Sequence, residues 1–239
     1  MIDSTTSNPF CSRFLQPGSI PFCFRGTESI SQLADRIRAP QAPSAPRGKR
    51  ATRGKKAQAA LKLSIVGPHG SGKSTLLHQL YQELRGNRQS NCQSDSGLIV
   101  LHSTSNKLAA LRSILRRIHR DQWCLIDGYE QIPRWAQFLI IARAKPRRVA
   151  LCVTAHRLPW MFQTLWETRV DAHVESHVIE CLLANVAAKD GGPPSVISDL
   201  LHSPHWAASR QKHQENLRES LFDMYDWWQA TVDDFRRSR

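Results

Sequence analysis

From Leu61 onward the hydrophobic positions alternate between two periods. Leu61–Val66 (LKLSIV) reads as a strand that runs into a glycine. Lys73–Leu84 then carries Leu76, Leu77, Leu80, Tyr81 and Leu84 at helical spacing. Leu98–Leu101 predicts a second buried strand. Leu108, Leu111, Ile114, Leu115 and Ile118 mark a second amphipathic helix, with arginines on its other face. Trp123–Ile126 is a third strand, Pro133 opens a helix running to about Ala144, and Val149–Thr154 is a fourth strand. Strands alternating with helices predict an α/β fold: a three-layer α/β/α sandwich around a parallel sheet.

Past His156 the pattern changes. Val174–Ile179 is a candidate fifth strand. Helical stretches follow at Glu180–Ala188, at Ser195–Leu201 and from about Trp206 to Phe235. In the last of these Leu217, Leu221, Met224, Tyr225, Trp228, Val232 and Phe235 recur every three or four residues. Gly191-Gly192-Pro193-Pro194 breaks the run. These stretches predict a small C-terminal helical lid over residues 181–239, after a core over 61–180.

Upstream, residues 1–39 hold apolar anchors (Phe10, Phe14, Leu15, Ile20, Phe22, Phe24). A short helix is expected over Ser29–Arg38, with Ile30, Leu33 and Ile37 on one side. This is the composition of an arm that packs on the core. Residues 40–60 (PQAPSAPRGKRATRGKKAQAA) hold no acid and six cations: Arg47, Lys49, Arg50, Arg53, Lys55 and Lys56. Pro, Ala, Gly and Lys in this mixture cannot build a packed core, which predicts a flexible basic linker. It suits either a solvated tether or an electrostatic foot, through 47–56, for nucleic acid or another polyanion.

Composition adds limits. The chain has 239 residues, 41% of them hydrophobic, so it can fill a core and is not globally disordered; its net charge is +13. No apolar run is long enough to span a bilayer, and Met1-Ile2-Asp3-Ser4 opens no signal-like apolar segment. None of the six cysteines forms a C-x-x-C pair, and Cys124 and Cys152 fall in predicted core strands. The expectation is a cytoplasmic protein with no membrane partner.

Two motifs carry chemistry. Gly67-Pro68-His69-Gly70-Ser71-Gly72-Lys73-Ser74, followed by Thr75, fits G-x-x-x-x-G-K-[ST] between a strand and a helix. The glycines let main chain curl around a phosphate, and successive N–H groups point inward at a helix N-terminus, where the partial positive charge adds attraction. Lys73 reaches the β- and γ-phosphates, and the Ser74 hydroxyl suits Mg2+. His69 has no set role in such a loop. The second motif, Trp123-Cys124-Leu125-Ile126-Asp127, is an apolar strand delivering a carboxylate that can hold Mg2+ through water. Gly128 follows where hydrolytic enzymes often place a glutamate. Glu130 is therefore the candidate water-orienting base, the alternative being a capping or surface glutamate. The two motifs resemble the additional-strand P-loop ATPases, in which the strand after the acidic one presents a polar residue to the γ-phosphate. The resemblance implies that place for Thr154 and His156, at the end of the fourth strand; the alternative for Thr154 is an ordinary β-branched strand end.

Taken together, GPHGSGKST (67–75) and LIDGYE (125–130) resemble the AAA+ and STAND branches of the additional-strand P-loop NTPases, over roughly Leu61 to Trp228. Glu215-Asn216-Leu217-Arg218-Glu219 is similar to the G-N-x-R sensor-2 segment of AAA+ lids, with Glu215 in place of the glycine. The resemblance implies Arg218 as a γ-phosphate sensor and Arg169 at an arginine-finger position. It also implies ATP rather than GTP. In agreement, Asn106-Lys107 lacks the aspartate of the N-K-x-D base-reading motif.

The leading expectation is an ATP-binding, ATP-hydrolysing switch or motor domain with a protein partner. A small-molecule kinase is the first alternative; the basic region around Arg143, Lys145, Arg147, Arg148 and Arg157 invites misreading as its arginine lid. Strand order separates the two, because kinases set the acidic strand beside the loop strand. A non-hydrolysing, nucleotide-dependent scaffold docking on nucleic acid is the second alternative.

Overall fold

A computed structural model describes residues 8–12, 14–38, 60–86, 97–101, 106–118, 123–190 and 203–237. The basic stretch 47–56, nearly all of the expected linker and the expected helix at Ser195–Leu201 lie outside them. The chain divides into two compact units.

One unit comprises Phe24–Val66 and Leu77–Glu167. Its strands are β1 (Lys62–Val66), β2 (Leu98–Val100), β3 (Trp123–Asp127), β4 (Ala150–Ala155) and β5 (Gln163–Glu167). They form one parallel sheet in the order β2-β3-β4-β1-β5. Helices flank it in a three-layer α/β/α arrangement. Alternation along β3 shows how the layers form. Cys124 and Ile126 join a cluster with Leu111 and Ile114 of α3 (Lys107–Arg117) and Ala136 and Ile140 of α4 (Arg134–Ala144). Trp123, facing the other way, meets Tyr81 of α2 (Lys73–Gly86) at 6.1 Å between ring centroids. On that side α1 (Ile30–Arg38) buries Leu33, Ala34 and Ile37. It is tied to α2 by Ser31 Oγ donating to Glu83 Oε1 (2.9 Å) and Arg38 donating to Glu83 O (2.9 Å). β3 and β4 are buried at every position, as expected of central strands covered on both faces.

The other unit comprises Met1–Cys23, Gly67–Leu76 and Thr168–Arg239. It holds α5 (Ala172–Asp190), α6 (Pro204–His213) and α7 (Leu217–Arg237). Ile179, Leu182, Trp206, Leu221, Met224 and Trp228 form its core, together with Phe10 from the arm. The Phe10 and Trp228 rings meet edge-on at 6.1 Å. Arg210 pairs with Glu175 at 2.7 Å, fastening α6 to α5. Lys212 and His213 both reach Asp223 on α7.

Three expectations change. Val174–Ile179 is not a strand but part of α5, and the fifth strand is Gln163–Glu167, where only Leu165 is buried. The long helix from Trp206 is two helices, because Gln214 takes a left-handed φ of 48° and its N–H closes α6 on Arg210 O. Leu108, expected on the apolar face of its helix, is exposed. Among the described residues no helix is long and apolar enough to cross a membrane.

The cores make a direct prediction about thiols. Burial pushes the Cys124 and Cys152 thiols up to about 12, so neither carries thiolate at mildly alkaline pH. An aromatic disulfide reagent applied to the folded chain should leave both unmodified. In guanidinium both should react, as peptide mass mapping would show.

Candidate functional site

In the helical unit the site is the glycine-rich loop that opens α2. Leu76 N donates to Gly72 O (2.9 Å), the first helical bond, which fixes where the loop passes into α2. Ser71 Oγ donates to Pro68 O (2.8 Å) and lies 2.6 Å from Thr168 Oγ1, a buried hydroxyl pair that ties the loop to the segment following β5. Gly67 has to be glycine here: a Cβ would overlap both the hydroxyl and the carbonyl of Thr168. Opposite, the Asn216 side chain presses on Gly70, and Phe22 lies against Gly72. Lys73, almost wholly buried, folds back over the loop, and its ammonium donates to Gly67 O (2.8 Å) and to Pro68 O. Two main-chain carbonyls thus solvate a buried cation inside the loop. His69 is exposed, while Ser74 and Thr75, on the first turn of α2, are half-buried.

Asn216 also caps α7, its Oδ1 accepting from Glu219 N (3.4 Å). The ENLRE segment and the loop therefore meet inside one unit. What meets the loop is the Asn216 side chain and the main chain at Arg218. The Arg218 guanidinium lies 5.5 Å from the Phe222 ring centroid, and the residue is exposed.

In the sheet unit the site is the carboxyl edge of β3 and β4. Thr154 Oγ1 donates to Asp127 Oδ1 (2.6 Å) and accepts from Gly128 N (2.8 Å), and both side chains are buried. Thr154 thereby fixes the carboxylate and the turn that follows it. Gly128 sits at φ 78°, a left-handed conformation that a glutamate would adopt only with strain. That requirement explains why the residue after Asp127 is glycine. A short 3-10 turn follows (Tyr129–Gln131), anchored by Tyr129, whose buried ring packs 5.2 Å from Phe162. Burial pushes the Tyr129 phenol above its ordinary range. The turn leaves Glu130 partly exposed and 3.2 Å from His156 Nε2. Arg169, past the end of β5, is exposed.

Sequence reasoning paired neither Thr154 with Asp127 nor Glu130 with His156, and it missed Thr168 altogether. No local signal marks Thr168, whose role depends on meeting Gly67 across most of a domain. Among the described residues no cluster of three or more His, Cys, Asp or Glu side chains is arranged to hold a metal by itself. No family model matches the chain, and no curated protein matches it.

Removing the Thr154 hydroxyl should expose its double role. Thr154→Val strands Asp127 Oδ1 and Gly128 N without their partner and should cost about 1–3 kcal/mol, whereas Thr154→Ser should retain most of the stability. Urea midpoints of the two variants against wild type measure this.

Proposed function

We propose that the chain is a P-loop nucleoside triphosphatase of the additional-strand class, AAA+/STAND-like, which binds ATP with Mg2+ and hydrolyses it. The observation that carries this reading is the sheet order. β4 lies between β1, the strand that feeds the glycine-rich loop, and β3, which ends in Asp127. A kinase of the alternative kind would set β3 beside β1.

The roles follow from the chemistry of each group. Within the loop Gly67–Thr75 the main-chain N–H groups, which Pro68 lacks, would receive phosphate oxygens at the start of α2. Lys73, now held by loop carbonyls, would exchange them for the stronger acceptors of a β- or γ-phosphate. Mg2+ fits the donors present: a fixed carboxylate (Asp127) and a hydroxyl (Ser74) are hard oxygen ligands. This cation usually takes one or two protein oxygens and completes its shell with phosphates and water, so a full protein cage is not needed. When bound it neutralises charge on the transferred phosphoryl group. Thr154 holds Asp127 in one orientation. Glu130 would orient the attacking water, with His156 steadying its carboxylate. Arg218 stands at the start of α7, beside the Gly70 contact, and a γ-phosphate arriving in the loop would bias that helix.

Turnover and binding together test the assignment. Lys73→Ala should weaken ATP binding by about tenfold or more. Glu130→Gln should bind ATP as wild type does but turn it over about a hundredfold more slowly. Wild-type affinity in Lys73→Ala would overturn the binding site, and normal turnover in Glu130→Gln would overturn the base.

A further inference from the structure

The sheet unit carries an apolar surface that nucleotide chemistry does not use. Helix α4 is apolar on two sides. Ala136, Ile140 and Ala144 face the core, while Trp135, Phe138 and Leu139 face out, each about half exposed. A helix with hydrophobic residues on both sides is normally covered on both. The β4–β5 connection adds Leu158, Trp160 and Met161, with Trp160 67% exposed. The two segments form one patch, since the Phe138 and Trp160 rings stand 5.2 Å apart. Met161 is held at φ 67°, a conformation costly for an unbranched L-residue outside glycine, and it turns the loop where its apolar side chains are displayed.

Charge identifies the partner. From Gln131 to Trp166 there is no acidic residue, and the cations are Arg134, Arg143, Lys145, Arg147, Arg148 and Arg157. Arg134 and Arg143 flank the outward stripe of α4 at four-residue spacing from Phe138 and Leu139, and Arg157 adjoins Leu158. A second copy of the chain would bring like charges together. Single-stranded nucleic acid stacks on aromatic faces, but it makes little use of Leu139, Leu158 and Met161. A folded partner would need a shape complementary to a patch built from two segments. A bilayer needs none: its interface takes in exposed Trp, Phe, Leu and Met, and anionic head groups attract the neighbouring arginines.

We propose that the α4 face and the β4–β5 connection dock the protein peripherally on an anionic lipid surface, with Trp135, Phe138 and Trp160 entering the interface. This differs from spanning the bilayer, and it reverses the expectation of no membrane partner. It is independent of the nucleotide reading.

Flotation of the full chain with vesicles tests it. Phosphatidylcholine vesicles containing about 30% phosphatidylserine should carry the protein up, and pure phosphatidylcholine should not. Trp135→Ser/Trp160→Ser should lower partitioning by about tenfold or more with an unchanged thermal melt, because both side chains are exposed. Leu158→Asp, on the loop, provides a second arm should the double variant lose its fold, and it should show a loss in the same direction. Failure of wild type to float would overturn the proposal. So would wild-type flotation of the folded variants, which would assign the binding to cations elsewhere, such as 47–56. Saturable binding of a thymidine oligonucleotide or a glutamate-rich peptide that is lost in the same variants, without flotation, would overturn it in favour of those partners.

Discussion

The parallel pairing of β4 with β1 on one side and β3 on the other is the constraint on which the rest depends. Parallel strands all end at the same edge, and the register sets Val66 against Ala155 and Ile126 against Val153. Val66, the last residue of β1, therefore ends at the same edge of the sheet as Asp127 and Thr154. The β3–β4 pairing is what brings the Thr154 hydroxyl to the carboxylate it holds. A hydrogen bond of this kind, buried and made to a charged group, contributes about 1.5–3 kcal/mol. Here its more important effect is geometric: it ties one carboxylate oxygen of Asp127 to the end of β4.

The loop obeys a different constraint, that of close approach. Gly67 lies against Thr168 where no side-chain atom fits, and the hydroxyls of Ser71 and Thr168 meet there. Lys73 is buried as a cation and finds its partners in the loop's own carbonyls. These groups close the loop on itself through the lysine ammonium and two main-chain carbonyls. Neither a packed core nor an ordinary turn requires a lysine folded into it, since a buried ammonium must replace its hydration with protein oxygens.

The sequence made the central strands legible because residues buried on both faces leave an unbroken apolar run, as in WCLI and VALCV. The helices α1 to α3 were legible for the opposite reason, one apolar side at helical spacing, and α4 from the proline that opens it. β5 was not: QTLWE lies at the sheet edge with a single buried residue and reads as loop. VESHVI, by contrast, has the β-branched residues Val174, Val178 and Ile179 that favour a strand but lies in α5, where packing of Ile179, Leu182 and Leu183 decides. The break at Gln214 uses neither glycine nor proline, so no turn signal announced it. Within the site, the residue types and the loop were visible because they are contiguous. Thr168, the Asn216 contact and the Glu130–His156 pair were not, because each joins segments brought together only by the fold.

The central claim is that the loop amides hold a triphosphate, and amide hydrogen exchange across Gly67–Leu76 reads those amides directly. With Mg2+ and a slowly hydrolysed ATP analogue, the account predicts marked slowing of exchange in that segment and in the peptide containing Asp127 and Gly128. Lys73→Ala at the same analogue concentration should show far less protection. Exchange in the loop that is unchanged at saturating analogue would contradict the account, whatever activity the preparation displays.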